Sequence, residues 1–411
     1  MRDGWKRIAL GEVTQESSIR VGRLANEAVV LSSTKHHGLV RSDEYFKNRQ
    51  IHSDDISDYK LVRKGWFAYA TNHLTEGSIG LQGIVEIGCV SPIYTVFSCS
   101  PEIDTAFMYR ILKSDVMLAE YGVHDQASVD RRGAVRYRDF KKIEVNLPPL
   151  AEQRRIAEIL DEVDGQIRAQ RAILHKREMV HAGVLDQLFM DGVIAGRRRV
   201  RSEIGEIPYD WDLLPVSEMC EVGSGSTPLR SEGDLYFSPS GTPWVKTLDL
   251  NDGVLSFTQE SVTDTALQSS NMRIYPPQTV LVAMYGGWGQ IGRTAILGCS
   301  AAVNQALSAL EIKQGARVLP EFLLLALQHG RFRWRKVGAS TRKDANVTKR
   351  DVEAFLIPVP GVAEQEQITR IVADLFQQRS EGDRLIAKLE LFKKSTMDDL
   401  LMGKARVLVP A

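Results

Sequence analysis

Between Leu147 and Met190 apolar side chains recur at steps of three, four and seven residues at Ile156, Leu160, Val163, Ile167 and Leu174, and the run resumes at Val184 and Leu188. That spacing places them on one narrow stripe of a helix, close to a heptad seam. A second stripe of the same kind runs through Ile368, Val372, Leu375, Ile386, Leu389, Met397 and Leu400. Pro148-Pro149 and Pro358/Pro360 stand just ahead of the two stripes, where a missing amide donor costs least, and Gly192 and Gly403 follow them as stop signals. Gly165 and Gly382 fall inside and are expected to weaken the helices locally. About 38 residues at 1.5 Å each predict rods about 57 Å long.

The two stretches are copies. Leu147–Met190 and Val359–Met402 align without a gap at a separation of 212 residues, with 12 identities in 44 positions. About three would be expected by chance from ordinary composition. Ala151-Glu152-Gln153 matches Ala363-Glu364-Gln365, and the register extends upstream to Arg138-Asp139 with Arg350-Asp351. Two duplicated helices with narrow apolar seams are expected to pair antiparallel about a pseudo-twofold axis. The predicted seam consists of Ile156, Leu160, Val163, Ile167, Leu174, Leu188, Ile368, Val372, Leu375, Ile386 and Leu400.

The remaining segments alternate short apolar runs with Gly, Pro, Asn and Asp, which predicts curved sheets with a few helices. Both open on a tryptophan and a strand, at Trp5 and Trp211; Tyr94 is assigned with these two tryptophans to the core. GWFAYA (65–70), SPIYTVF (91–97), TVLVAMY (279–285) and QALSALEI (305–312) read as strands, FMYRILKS (107–114) and PEFLLLALQH (320–329) as equivalent helices. The fold class is therefore α+β. A globular domain at 1–146 precedes a long helix at 147–192 and a linker at 193–204; a second domain at 205–358 precedes a second helix at 359–403 and a tail at 404–411.

Composition narrows the function. Apolar residues make up 43% and no run is long enough to cross a bilayer, so a cytoplasmic protein is expected. Cys89, Cys99, Cys220 and Cys299 are scattered, which suits buried free thiols better than a metal site. His36 and His37, if on a strand, would face opposite sides, so no metal is expected there either. Lys plus Arg equals Asp plus Glu, 52 each, and any nucleic-acid function must rest on local patches. Two occur in matching positions: 131–142 holds six basic residues against one acidic, and 331–350 holds eight against one, interleaved with Tyr137, Phe332 and Trp334. Either is a solvated loop or a phosphate contact. GGWGQIG (286–292) contains a G-x-G-x-x-G, but the residues after it read as strand, turn, strand, whereas a dinucleotide site needs a helix there.

The pattern P-P-L-A-E-Q-x-x-I-x-x-I-L at 148–160, repeated at 360–372, resembles the specificity subunit of type I restriction–modification systems. HHGLVRSDEYFKNRQ (36–50), DYKLVRKGWFAY (58–69) and SPIYTVF resemble one form of that family's target recognition domain; GSGSTP (223–228), PWVKTLDLNDG (243–253), VLVAMYGGWGQIGRTAIL (280–297) and VNQALSAL (303–310) resemble another. The resemblance implies two target recognition domains held apart by antiparallel helices, each reading half of a bipartite, asymmetric site in double-stranded DNA. It implies no catalytic activity in this chain, and partners in two methyltransferase and two restriction subunits, which would carry S-adenosylmethionine, ATP and Mg. In keeping with this, the chain has no N-P-P-Y/F run, no P-loop and no triad spacing. The second copy has Gly361 where the family has proline, so looser packing is expected at that end.

The candidates for base reading are Lys35, His36, Arg41, Tyr45, Lys47 and Arg49 in the first domain, and Thr227, Arg230, Lys246, Trp288, Gln290 and Asn346 in the second. Arg131, Arg132, Arg342, Lys343 and Lys349 are the candidates for phosphates. Two alternatives stand beside a DNA-reading scaffold: an enzyme binding a nucleotide at the Gly286–Gly292 loop, and a coiled-coil adaptor that binds proteins alone.

Overall fold

The computed structural model describes residues 4–47, 49, 52–126, 134–194, 196–338 and 346–408. They form two compact units, Met1–Ala172 with Arg384–Ala411, and Ile173–Asp383. Each unit therefore holds one globular domain and half of each long helix. The helices run over Leu150–Asp191 and Val362–Leu401, 42 and 40 residues, unbroken through Gly165 and Gly382. Packing outweighs the weak propensity of a single glycine.

The first domain opens with strand Lys6–Ala9, antiparallel to Glu144–Leu147. An antiparallel sheet follows in the order Thr14–Ser17, Tyr94–Cys99, Phe67–Ala70, Ile79–Leu81. A second sheet has the order Gly38–Arg41, Val29–Thr34, Ile87–Val90, Lys60–Arg63, with one parallel pair where Val29 and Val30 meet Gly88 and Cys89. The second domain repeats this plan. Asp212–Pro215 pairs with Leu356–Val359. Cys220–Ser224, Leu307–Ile312, Val280–Ala283 and Thr294–Leu297 follow in the first sheet, with Val254–Leu255 added at the edge. The second sheet runs Glu260–Val262, Phe237–Val245, Ala301–Val303, Ile274–Tyr275, again with one parallel pair. The duplication legible in the helices thus extends through both domains, where few residues match.

The core of the first unit gathers Phe67, Phe97, Phe107 and Phe140 with Ile156 and Leu160 from the start of the central helix and Leu400 and Leu401 from the end of the C-terminal one. The second unit takes the complementary ends: Leu188 and Phe189 with Ile368 and Val372. Every domain thus seals the beginning of one long helix and the finish of the other. Within the first unit Asp164 meets Lys393 at 2.7 Å and Arg171 meets Glu390. In the second Glu178 meets Arg379 at 3.0 Å. Rising numbers on one helix meet falling numbers on the other, in the second unit from Glu178 with Arg379 to Leu188 in one cluster with Ile368 and Val372, so the segments are antiparallel in each unit. Among the predicted seam residues, Ile156, Leu160, Leu188, Ile368, Val372 and Leu400 are buried largely in domain cores, and Val163 and Ile167 are buried too. Leu174, Leu375 and Ile386, nearer the middle of each helix, are only half-buried. The seam is thus buried deepest where the domains cover the helix ends and extends inward through Val163 and Ile167.

The repeated Ala-Glu-Gln has a physical role at each helix start. Gln153, 2% exposed, accepts from the Asp104 amide at 2.9 Å and donates to the Pro148 and Glu102 carbonyls at 2.9 and 3.3 Å. Gln365, fully buried, accepts from the Leu319 amide and donates to the Arg317 and Pro360 carbonyls, all at 2.8 Å. Each glutamine fastens its helix to the start of the domain helix, Thr105–Leu112 or Pro320–His329. The preceding glutamates accept from tryptophan: Trp5 Nε1 to Glu152 and Trp211 Nε1 to Glu364, both at 3.2 Å. Gly361 itself is exposed, with open space where a side chain would stand, yet the hydrogen bonds around Gln365 still form in full. Gly192 and Gly403, at φ +70° and +68°, end the helices in the left-handed conformation and lie against Trp211 and Trp5.

Some expectations need correction. His36 and His37 occupy the turn between Val29–Thr34 and Gly38–Arg41 rather than a strand. Tyr94 is half-buried, its hydroxyl accepting from the Ser33 amide at 3.3 Å, whereas Trp5 and Trp211 are core. The Gly286–Gly292 loop joins two antiparallel strands, Val280–Ala283 and Thr294–Leu297, and no helix opens at Gly292. The strand, turn, strand order read from the sequence stands here without correction, and the dinucleotide geometry of the alternative is not formed.

Candidate nucleic-acid interface

In the first domain the six predicted readers fall on one hairpin, the short helix Ser42–Tyr45 behind it and the segment that follows the helix, where Lys47 and Arg49 lie. Lys35, His36, Tyr45, Lys47 and Arg49 are exposed and Arg41 is half-buried. The turn is anchored from below: Lys113 Nζ donates to the Lys35 and Gly77 carbonyls at 2.6 Å each. His37 meets Tyr45 edge-on at 6.3 Å, tying turn to helix. Lys47 sits at φ +52°, which turns the chain sharply after the helix. Arg41 is engaged by Asp43 at 3.1 Å and Glu44 at 2.9 Å. Its hydrogen bond holds the Asp43 carboxyl below the usual range.

The second domain divides its candidates. Arg230 and Lys246 converge on Glu260, which accepts from Arg230 at 2.6 Å and from Lys246 on its other oxygen. Thr227, exposed, lies three residues before Arg230 on the same loop. Trp288 and Gln290 ride on the glycine-rich loop; Trp288 is 44% exposed, and Gln290 accepts from Arg293 at 2.9 Å. A Cβ on Gly286 would stand 3.7 Å from Thr247, one residue from Lys246, so loop and cluster adjoin. The GSGSTP glycines are also explained. A Cβ on Gly223 would strike the Tyr275 ring, and one on Gly225 the Val303 carbonyl, because this strand crosses close to the second sheet.

The basic run beginning at Arg331 is only partly a surface feature. Arg331 donates to the Gly292 carbonyl at 2.8 Å and pairs with Asp252; burial opposes the Asp252 charge, but the Arg331 hydrogen bond holds that carboxyl below the ordinary range. Arg333 lies 4.1 Å over the Phe355 ring, and burial depresses its pKa to about 10. Trp334 is 1% exposed and stacks on Phe355 at 4.0 Å, so it is a core residue. Phe332, 60% exposed, and exposed Arg335 face a cleft of about 330 Å³ with Trp288. Tyr137 in the first domain is likewise structural, donating to the Thr14 carbonyl at 2.8 Å. Asn346 and Lys349 are exposed beside the capped helix Lys349–Glu353, with Lys349 3.6 Å from Glu353. Arg131, Arg132, Arg342 and Lys343 lie outside the described residues.

Sequence reasoning missed Glu260, Asp252, Phe237 and Trp244. An acid or aromatic carries no local signal of which cation it will meet, whether 7 residues away as for Phe237 and Arg230 or 79 as for Asp252 and Arg331. Among the described residues no group of three His, Cys, Asp or Glu side chains is arranged to hold a metal ion, and no helix is long and apolar enough to cross a membrane. Cys89 and Cys220 are buried and free; Cys99 and Cys299 are free and half-buried.

Comparison with known proteins gives a consistent picture. The family model for the type I restriction modification DNA specificity domain matches twice, over residues 25–176 and 208–391. The type I restriction enzyme MjaVIII specificity subunit of Methanocaldococcus jannaschii is 26% identical over 277 residues, 65% of this chain and 63% of that protein. The chain thus spans less than two thirds of the curated relatives it matches, 62% and 63% for two of them. The HsdS subunit from Thermoanaerobacter tengcongensis shares the fold at 19% identity and a TM-score of 0.55, covering 98% of each chain. A chain solved in work on complex assembly and conformational transition of the type I R-M system aligns with a TM-score of 0.64 at 18% identity, over 97% of this chain and 98% of that one. With both halves matched in the order in which the repeat lays them out, the chain belongs to the type I restriction–modification DNA specificity domain family.

Proposed function

We propose that this chain is a non-catalytic specificity subunit that reads a bipartite, asymmetric site in double-stranded DNA. Each domain reads one half, and the long helices set the unread spacer between them. The observation that carries this reading is one topology built twice with unlike surface residues: a single backbone plan held by the same Gln and Trp–Glu fastenings, bearing two different loop chemistries. Successive major-groove faces recur about every 34 Å, a distance that rods of this length can bridge. Neutral overall charge suits a reader whose partners supply much of the phosphate binding.

Adenine methylation requires flipping the base out of the stack, which calls for an enzyme around the duplex. The chain would seat two such methyltransferase subunits, and through them two ATP-dependent restriction subunits. S-adenosylmethionine, ATP and Mg would bind those partners. Apolar side chains left exposed on the helices, Val180 at 62% and Met179 at 66% on one, Leu391 at 70% and Phe392 at 57% on the other, supply apolar seats for them.

Replacing residues 205–355 with another domain of the family and sequencing methylated adenines in cells tests the modular reading. One half of the site should change while the other half stays; altered preference in both halves contradicts it. Inserting residues into one long helix should change the spacer or abolish activity, and an unchanged spacer removes the ruler role.

A further inference from the structure

Arg230 is exposed yet held from three sides. Its guanidinium carbon lies 4.6 Å from the centre of the Phe237 ring and 5.3 Å from that of Trp244, and Nη1 donates to Glu260 at 2.6 Å. The aromatic platform is itself rigid. Trp244 is 1% exposed, meets Phe237 edge-on at 5.9 Å, and donates to the Ser226 carbonyl at 3.2 Å. Glu260 is pinned through its second oxygen by Lys246, whose own amide donates to Asp249 at 2.7 Å. Hydrogen bonds from Arg230 foremost hold the Glu260 carboxyl below the usual range, so it is ionised at neutral pH.

A surface arginine ordinarily samples many rotamers and pays to be ordered when it binds. Here the ordering is done in advance, while 57% of the side chain still faces solvent. A guanidinium has five N–H donors, and Glu260 engages one end of the fork. A cluster built only to hold phosphate would leave its cations unneutralised, because counterion release grows with the number of phosphates met. This cluster gives up charge and gains direction. A guanidinium of fixed plane matches the O6 and N7 acceptors of guanine, which lie side by side in the major groove.

We propose that Glu260 is a specificity-positioning residue of the second domain: with Phe237 and Trp244 it locks Arg230 as a rigid donor that reads one guanine in the second half of the DNA site. This rests on the reading of the chain as a bipartite DNA specificity subunit.

The test uses the full complex with its methyltransferase subunits, comparing Glu260→Gln, Arg230→Lys and Arg230→Ala by methylome sequencing and by binding over a salt series. Arg230→Lys keeps the charge and loses the bidentate fork. It should relax one G·C position of the second half by about 10- to 100-fold and leave the first half intact. Glu260→Gln should relax the same position and steepen the slope of log K against log salt by about one, because a freed cation can now meet a phosphate. A purely structural role would lower the melting temperature without moving that slope. An unchanged second-half consensus in Arg230→Lys overturns the proposal, as does equal weakening of Arg230→Ala at every sequence. If Glu260→Gln fails to assemble, Glu260→Asp, which keeps the charge but shortens the reach to Arg230, should relax the same position, and an unchanged consensus there overturns the proposal. A wild-type complex without any two-part preference would sink the underlying reading instead.

Discussion

Gln365→Ala isolates what the repeated Ala-Glu-Gln contributes to folding. Gln365 is fully buried and makes three hydrogen bonds to backbone groups, each at 2.8 Å. At about 1 kcal/mol net for each, their loss costs about 3 kcal/mol. The Leu319 amide and the Arg317 and Pro360 carbonyls would then be left unpaired, which makes that figure a floor. For a unit of this size 3 kcal/mol corresponds to a fall in melting temperature of about 6–12 °C. The assay is thermal unfolding of the purified chain, with hydrogen exchange at the start of helix Pro320–His329 as the local readout. Protection of the Leu319 amide should be lost while the first unit stays protected. Gln153→Ala should do the converse. Exposed Glu366→Ala serves as the control, expected within about 0.5 kcal/mol of the parent. A Gln365→Ala protein that melts within about 2 °C of the parent would refute the reasoning.

Three further outcomes can be checked on the same material. Glu364 is 14% and Arg197 6% exposed, joined at 3.0 Å, and Glu364 also accepts from Trp211 Nε1 and the Val193 amide; Glu364→Ala leaves the buried guanidinium with Asp210 at 3.6 Å and the other two donors short of their acceptor, and should cost about 3 kcal/mol in chemical denaturation. Gly225→Ala drives a methyl group into the Val303 carbonyl and should unfold the second domain, seen as a lost cooperative transition, while the first domain still melts. Burial opposes the charge of Asp164, but hydrogen bonds from Lys393 and Arg110 hold its carboxyl below the ordinary range. A carboxylate depressed in the folded state stabilises fully above its unfolded pKa, near 4, and loses that contribution as pH falls through the folded value. Asp164→Asn should therefore flatten the decline of first-unit stability on acidification below about pH 4; an unchanged decline would argue against this ion pair.

The long helices were legible because their signal is local. Apolar steps of three and four residues, prolines before and glycine after need no knowledge of the rest of the chain, and Leu150–Asp191 and Val362–Leu401 follow them closely. The strands at Phe67–Ala70, Tyr94–Cys99, Val280–Ala283 and Leu307–Ile312 were marked by short apolar runs between turn residues. The candidate interface was legible only as residue types on loops. Arg331 and Arg333 look like Arg335 in a string of letters, yet two are engaged by carbonyls and one faces solvent.

By itself, then, the amino-acid order determined that two copies of one plan exist, that each ends in a long amphipathic helix, and that charge is spread too evenly for a wholly basic surface. Tertiary structure alone decided which ends of the helices each domain seals, why Glu152, Gln153, Glu364 and Gln365 recur, and which cations are restrained by carboxylates. The reason is range: periodicity is written within a few turns of one helix, whereas Trp211 meets Glu364 across 153 residues and Arg230 meets Glu260 across 30. Contacts of that kind exist only once burial has brought distant segments together.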